Sequence, residues 1–169
     1  MGSNPTLSAK KGKESIMKII FLDIDGVLNN YKFLCENQGK SEIDEKAVKV
    51  LGRICKRLGA KVVISSSWRL GWNDNWPHIE AAKKLLKQHN IEVIGLTSTD
   101  SRLSRGEQIK KFVWDNCTCA DSWVAIDDDE LNIPSHRFVQ TDFQGAGLTM
   151  RHLPAIRKAL RCPVKEDWI

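Results

Sequence analysis

The chain has 169 residues, 41% of them apolar and 7% aromatic, with a formal net charge of +5. That length suits one domain around one buried core, and the apolar content excludes an intrinsically disordered chain. No run approaches the roughly 18 consecutive apolar residues of a membrane-spanning helix, and the opening MGSNPTLSAKKGKES lacks the apolar stretch of a secretory signal, so a cytoplasmic protein with no membrane span is expected.

Met1-Gly2 followed by Thr6 fits the myristoylation pattern M-G-x-x-x-[ST], but MGS also opens many expression tags. Met17 begins MKIIFLDIDG in the manner of a natural start, so residues 1–16 are expected to be a disordered extension or tag and 17–169 a single domain. Residues 19–22 then form the first strand, which runs into Asp23-Ile24-Asp25-Gly26-Val27-Leu28-Asn29. Two carboxylates one residue apart, followed by a glycine able to turn the chain, make a compact acidic site. Unpaired they would repel and raise each other's pKa. A hard divalent cation removes that difficulty, and magnesium takes oxygen ligands while keeping several waters. Taken alone, the same residues are equally a solvated acidic turn.

A helix is expected over residues 44–58, because Val48, Leu51, Ile54, Cys55 and Leu58 share one face. The second strand, 62–64, ends in Ser65-Ser66-Ser67-Trp68-Arg69, where hydroxyls and backbone amides can cradle phosphate oxygens or simply cap a helix. Trp68, Trp72 and Trp76 stand four residues apart. As a helical stripe they would offer bases a stacking surface, but Gly71, Asn73, Asp74, Asn75 and Pro77 favour a loop whose tryptophans pack inward. A helix over 79–89 and a strand over 91–94 follow. Ser104 and Glu107 have capping-box spacing at the head of a helix over 106–115, which sets Arg105 where it can reach both a phosphate and the acidic cluster.

The fourth strand, 123–126, ends in Asp127-Asp128-Asp129-Glu130, an electrostatically awkward run unless a cation or basic group faces it. A strand over 137–140 and a helix over 150–160, stopped by Pro163, complete the chain. Continuously apolar strands alternating with helices imply a parallel sheet covered on both faces, whose binding crevice lies beyond the strands' carboxyl ends. The five cysteines, an odd number without paired metal-ligand spacing, fit reduced thiols better than a disulfide or zinc framework.

In order along residues 17–150, these motifs resemble those of the haloacid dehalogenase (HAD) superfamily. SSSWR, RGEQI, IDDDE and TDFQGAGLT are most similar to the HAD domain of Swiss Army Knife RNA-repair proteins. The resemblance implies an α/β three-layer sandwich with a central five-stranded parallel sheet, Rossmann-like and without a large cap. It also implies a phosphatase that uses Mg2+ and an aspartyl-phosphate intermediate. Asp23 would be the nucleophile and Asp25 the general acid/base. Ser65, or Ser66 one register later, would bind phosphate. Arg105 stands where the family usually has lysine, with Lys110 or Lys111 as alternatives. Asp128 would hold the metal beside Asp127, together with Asp23 and Asp25.

Neither the stretch from Asp23 to Ser65 nor that from Ser65 to Arg105 leaves room for a large cap once its elements are placed. An open site of this kind suits large phosphoesters, nucleic-acid ends or phosphoproteins among them. A non-catalytic phosphate-binding module on the same fold is the competing reading.

Overall fold

Ile19, Ile20, Phe21 and Leu22 are fully buried because β1 (Lys18–Leu22) is the middle strand of the sheet. The computed structural model describes residues 15–40 and 42–168. The myristoylation pattern and the expected extension through residue 14 lie outside the described residues. Five parallel strands pair in the order β3-β2-β1-β4-β5, with β2 (Lys61–Ile64), β3 (Val93–Leu96), β4 (Ser122–Asp127) and β5 (Phe138–Gln140).

Side-chain alternation along β1 divides the core. Ile20 and Leu22 join a cluster with Val48, Leu51 and Ile54 of α2 (Glu45–Leu58), Ile79 and Leu86 of α3 (Pro77–Gln88), and Ile156 of α5 (Leu153–Ala159). Ile19 and Phe21 face the other way, onto Ile109 and Val113 of α4 (Arg105–Asn116) and onto Val164. The result is the expected three-layer α/β sandwich. The chain winds outward from β1 to β3, then crosses back to β4, so strand order reverses between β1 and β4. In a doubly wound sheet that reversal opens a crevice at the strands' carboxyl ends. Among the described residues no helix is long and apolar enough to cross a membrane, and none of the five cysteines is bridged.

Most elements differ from the expected bounds by one or two residues, and three departures have a visible cause. The third strand starts at Val93 rather than 91, because Ile91 N–H closes the end of α3 on Leu86 O and Asn90 turns the chain with φ +56°. Sheet pairing begins only at Glu92, whose carbonyl accepts Val62 N–H at 2.9 Å. The last helix is split: Met150–His152 is a 3-10 turn and α5 begins at Leu153, since Pro154 has no N–H to continue a helical ladder back to residue 150. Finally, α1 (Tyr31–Glu36) has no counterpart in the sequence reading. It buries no residue, so it carries no apolar stripe to read, and it rests on the Asn30 cap at Phe33 N–H. No extra domain is inserted among the described residues between Asp23 and Ser65 or between Ser65 and Arg105.

The carboxyl-terminal segment is anchored by a fully buried arginine. Arg137 donates to the carbonyls of Trp123, Ala159, Cys162 and Pro163, and its Nε reaches Asp167 Oδ1 at 2.9 Å. Removing one partner of such a pair strands the other groups. Arg137→Met is therefore expected to lower unfolding stability by about 3–5 kcal/mol in urea titrations, and a loss below about 1 kcal/mol would contradict the anchoring role.

Candidate active site

Parallel pairing places the acidic tips side by side. Leu22 is in register with Ile126, so Asp23 and Asp127 leave adjacent strands at the same edge, and Asp23 N–H donates to Ile126 O at 3.0 Å. The carboxylate oxygens of Asp23, Asp127 and Asp128 lie within 4.8 Å of one another. Gly26, at φ +80°, makes this possible: a Cβ there would fall inside the space taken by the Asp128 carboxyl group. All the donors are oxygens, the set a hard cation such as magnesium prefers, and three clustered carboxylates need a positive charge to be ionised together. These residues fit a divalent metal.

One positive group is already present. Arg105, the first residue of α4, sends Nη1 to Asp23 Oδ1 at 3.1 Å and to Asp127 Oδ2 at 2.6 Å. A complete capping box between Ser104 and Glu107 fixes the start of that helix and so the base of the arginine. Lys110 and Lys111 do not share the position. Lys111 pairs with Asp115 at 2.8 Å on the surface, and Lys110 lines a separate small cavity with Trp114 and Pro134.

The two serines after β2 also separate. Ser66 caps the following 3-10 turn, Ser67–Gly71, by accepting Trp68 N–H, and its hydroxyl bonds Asp23. Ser65 Oγ is buried with no hydrogen-bond partner. A buried hydroxyl left unpaired is costly unless a ligand completes it, and a phosphate oxygen would do so.

Asp25 stands apart from the carboxylate cluster. It is exposed, and its two oxygens accept Asn29 Nδ2 at 2.8 Å and Trp68 Nε1 at 2.9 Å. Its side chain is thus held beside the other three carboxylates rather than among them. Asn29 additionally accepts Gly26 N–H, tying the acidic turn to itself.

Two of these roles, those of Trp68 and Arg69, are absent from the sequence pattern. Trp68, one of the tryptophans expected to pack inward, is buried as is Trp72, but its indole N–H also orients Asp25. Trp76 is exposed instead, next to the start of α3. Arg69 spans Ser65 O, Ser66 O, Ser98 O and Gln108 Oε1, locking the serine turn to α4. Burial and the nearby Arg105 push its guanidinium below the ordinary arginine value. The arginine stands in plain view after SSSW, but its partners lie as far as 39 positions away, where no local pattern reaches.

Burial, reinforced by the Asp127 charge and only partly opposed by Arg105, pushes Asp23 up to about 7 from an ordinary value of 3.8. Burial likewise raises Asp127 and Asp128.

Residues 19–153 match a family whose description reads HAD domain in Swiss Army Knife RNA repair proteins. No curated protein and no solved structure matches the chain.

The raised Asp23 pKa has a definite sign in stability. In metal-free protein the unfolded chain releases this proton near 3.8 whereas the folded chain holds it to about 7. The contribution of Asp23 is therefore fully present below 3.8 and declines as pH rises to about 7. With chelator present, wild type should lose stability relative to Asp23→Asn across that interval in denaturant titrations. A pH-independent difference would show that Asp23 ionises normally.

Proposed function

The chain belongs to the family of HAD domains of Swiss Army Knife RNA repair proteins, and on that premise we propose that it is a magnesium-dependent phosphomonoesterase that works through an aspartyl-phosphate on Asp23. The observation that carries this reading is the meeting of four features at one sheet edge. They are a buried Asp23, an arginine bonded to it, an unpaired buried hydroxyl at Ser65, and a separately held Asp25.

In the first step Asp23 attacks phosphorus, and the bond to the leaving oxygen breaks as Asp25, protonated, delivers its proton there. In the second, Asp25 takes a proton from water, the resulting oxygen attacks phosphorus, and the bond to Asp23 breaks. Asp25 ends protonated again, as it began. Ser65 and Arg105 donate to the equatorial phosphoryl oxygens, and such preorganised donors usually supply the largest part of phosphoryl-transfer catalysis. A magnesium ion held by Asp23, Asp127 and Asp128 would offset negative charge on the transferred group. Trp68 and Asn29 keep Asp25 aimed, and this matters because proton transfer needs hydrogen-bond reach to the leaving oxygen.

What supports a large substrate is the lack of any inserted cap among the described residues. The family's description favours nucleotide or nucleic-acid end phosphates over phosphoproteins. A comparison of terminally phosphorylated oligonucleotides with phosphopeptides separates the two.

Hydrolysis of an aryl phosphate with added magnesium tests the chemistry. Asp23→Asn should show no turnover, and Asp25→Asn should fall by about 10²–10⁴-fold, the usual worth of general acid–base catalysis. A strong chelator should stop the reaction. Undiminished hydrolysis by Asp23→Asn would remove it as nucleophile, and indifference to chelation would remove the metal.

Trp68→Phe keeps an aromatic ring in the turn but deletes the donor to Asp25. Turnover should drop about tenfold with little change in KM, in line with the modest value of one charge-assisted hydrogen bond. A variant as fast as wild type would show that Asp25 needs no such guide.

A further inference from the structure

After β5 the chain returns across the catalytic turn as a strap, residues 141–149. Thr141 N–H donates to Asp127 O and Thr141 Oγ1 to Gly26 O, each at 2.9 Å. Leu148 N–H donates to Val27 O and Tyr31 N–H to Phe143 O, again at 2.9 Å. Gly147, at φ +61°, lies so close that a Cβ would stand 2.9 Å from Val27 O. The strap is thereby fastened to the acidic turn at both its ends and its middle, and it forms a fixed wall.

Between this wall and the turn Met150–His152 is a cleft of about 920 Å3. Asp128 lines it, so the cleft begins at the carboxylate cluster; Phe143 lines it from the strap, and Arg151 and His152 from the facing turn. Arg151 is exposed and has no carboxylate partner among the described residues, unlike Arg105 and Arg137. His152 is held against the backbone of the same turn, its Nδ1 3.0 Å from Thr149 N. Asp142 also lines the cleft, but its Oδ1 accepts Gln144 N–H and its carboxylate forms no ion pair with Arg151.

We propose that this cleft is a second phosphate subsite, in which Arg151 binds the phosphodiester next to a polynucleotide's terminal phosphate while that terminal phosphate sits at Asp23. The assignment rests on the phosphomonoesterase reading. It adds the reason a strand would be preferred. An arginine without a carboxylate partner, lining the same cleft as Asp128, selects a substrate with a second anion beyond the scissile group. A polynucleotide has a phosphate at every step, an aryl phosphate has no second anion, and a singly phosphorylated peptide has no second phosphate. The planar guanidinium suits bidentate contact with a diester. Phe143 supplies an aromatic surface in the same cleft, of the kind on which single-stranded bases stack.

Binding tests this without turnover. The Asp23→Asn protein, with magnesium, is titrated against a short labelled single-stranded RNA bearing a terminal phosphate, and compared with Asp23→Asn carrying Arg151→Ala. The dissociation constant should rise about tenfold, and the slope of log K against log salt should become shallower by about 0.7, the signature of one lost phosphate contact on a single strand. Arg151→Lys should restore most of the slope, which a merely structural role would not require. Unchanged affinity and slope in Arg151→Ala would overturn the subsite. An equal loss for a singly phosphorylated peptide would overturn the polynucleotide assignment. Hydrolysis of aryl phosphate by the native chain reports separately on the phosphomonoesterase reading, and its failure leaves the binding result on Arg151 readable.

Discussion

Three carboxylates crowded at one sheet edge are the constraint around which the rest of the site is arranged. Two like charges about 4 Å apart repel by about 4 kcal/mol at the effective dielectric of a protein surface, and Asp23 and Asp127 are buried as well. The fold cannot avoid the crowding, because β1 and β4 are neighbours in register, with Asp23 directly after β1 and Asp127 closing β4. Arg105 offsets part of the repulsion by touching both. Burial first, and the Asp127 charge second, still leave the Asp23 carboxyl well above its ordinary value.

Much of this arrangement is legible in the sequence. Apolar strands interrupted by helical stripes give a parallel sheet, and such a sheet puts Asp23, Ser65 and Asp127 at a common edge by topology alone. What could not be read was orientation. Nothing in Ser65-Ser66-Ser67 says which hydroxyl caps the next turn and which is left unpaired. That depends on where the 3-10 turn begins. Likewise the DxD pattern suggests that Asp25 shares the metal with Asp23, whereas alternation and the Gly26 turn send its carboxylate to Trp68 and Asn29. Trp68 and Arg69 act through partners dozens of positions away, and long-range pairing leaves no local periodicity. The element boundaries moved for small, physical reasons: a left-handed Asn90, and a proline without an N–H.

The supports around the site are hydrogen bonds, from side chains as well as from the backbone. Arg69 ties the serine turn to α4, the strap ties β5 to the acidic turn, and the Ser104–Glu107 capping box fixes Arg105. Catalysis by positioned donors depends on such supports, since a shift of about 1 Å at the reacting group can cost about a hundredfold in rate. With no inserted cap among the described residues, shape selection falls to the walls of the crevice itself.

The most direct test is the stoichiometry of the cation. Manganese, a paramagnetic substitute for magnesium, can be titrated into the chelator-treated protein and followed by electron paramagnetic resonance. One ion per chain is expected, competed by magnesium, with affinity collapsing in Asp128→Asn while the fold persists by circular dichroism. Binding that ignores loss of Asp128, or no binding at this edge at all, would mean that the three carboxylates are balanced by Arg105 and protons alone.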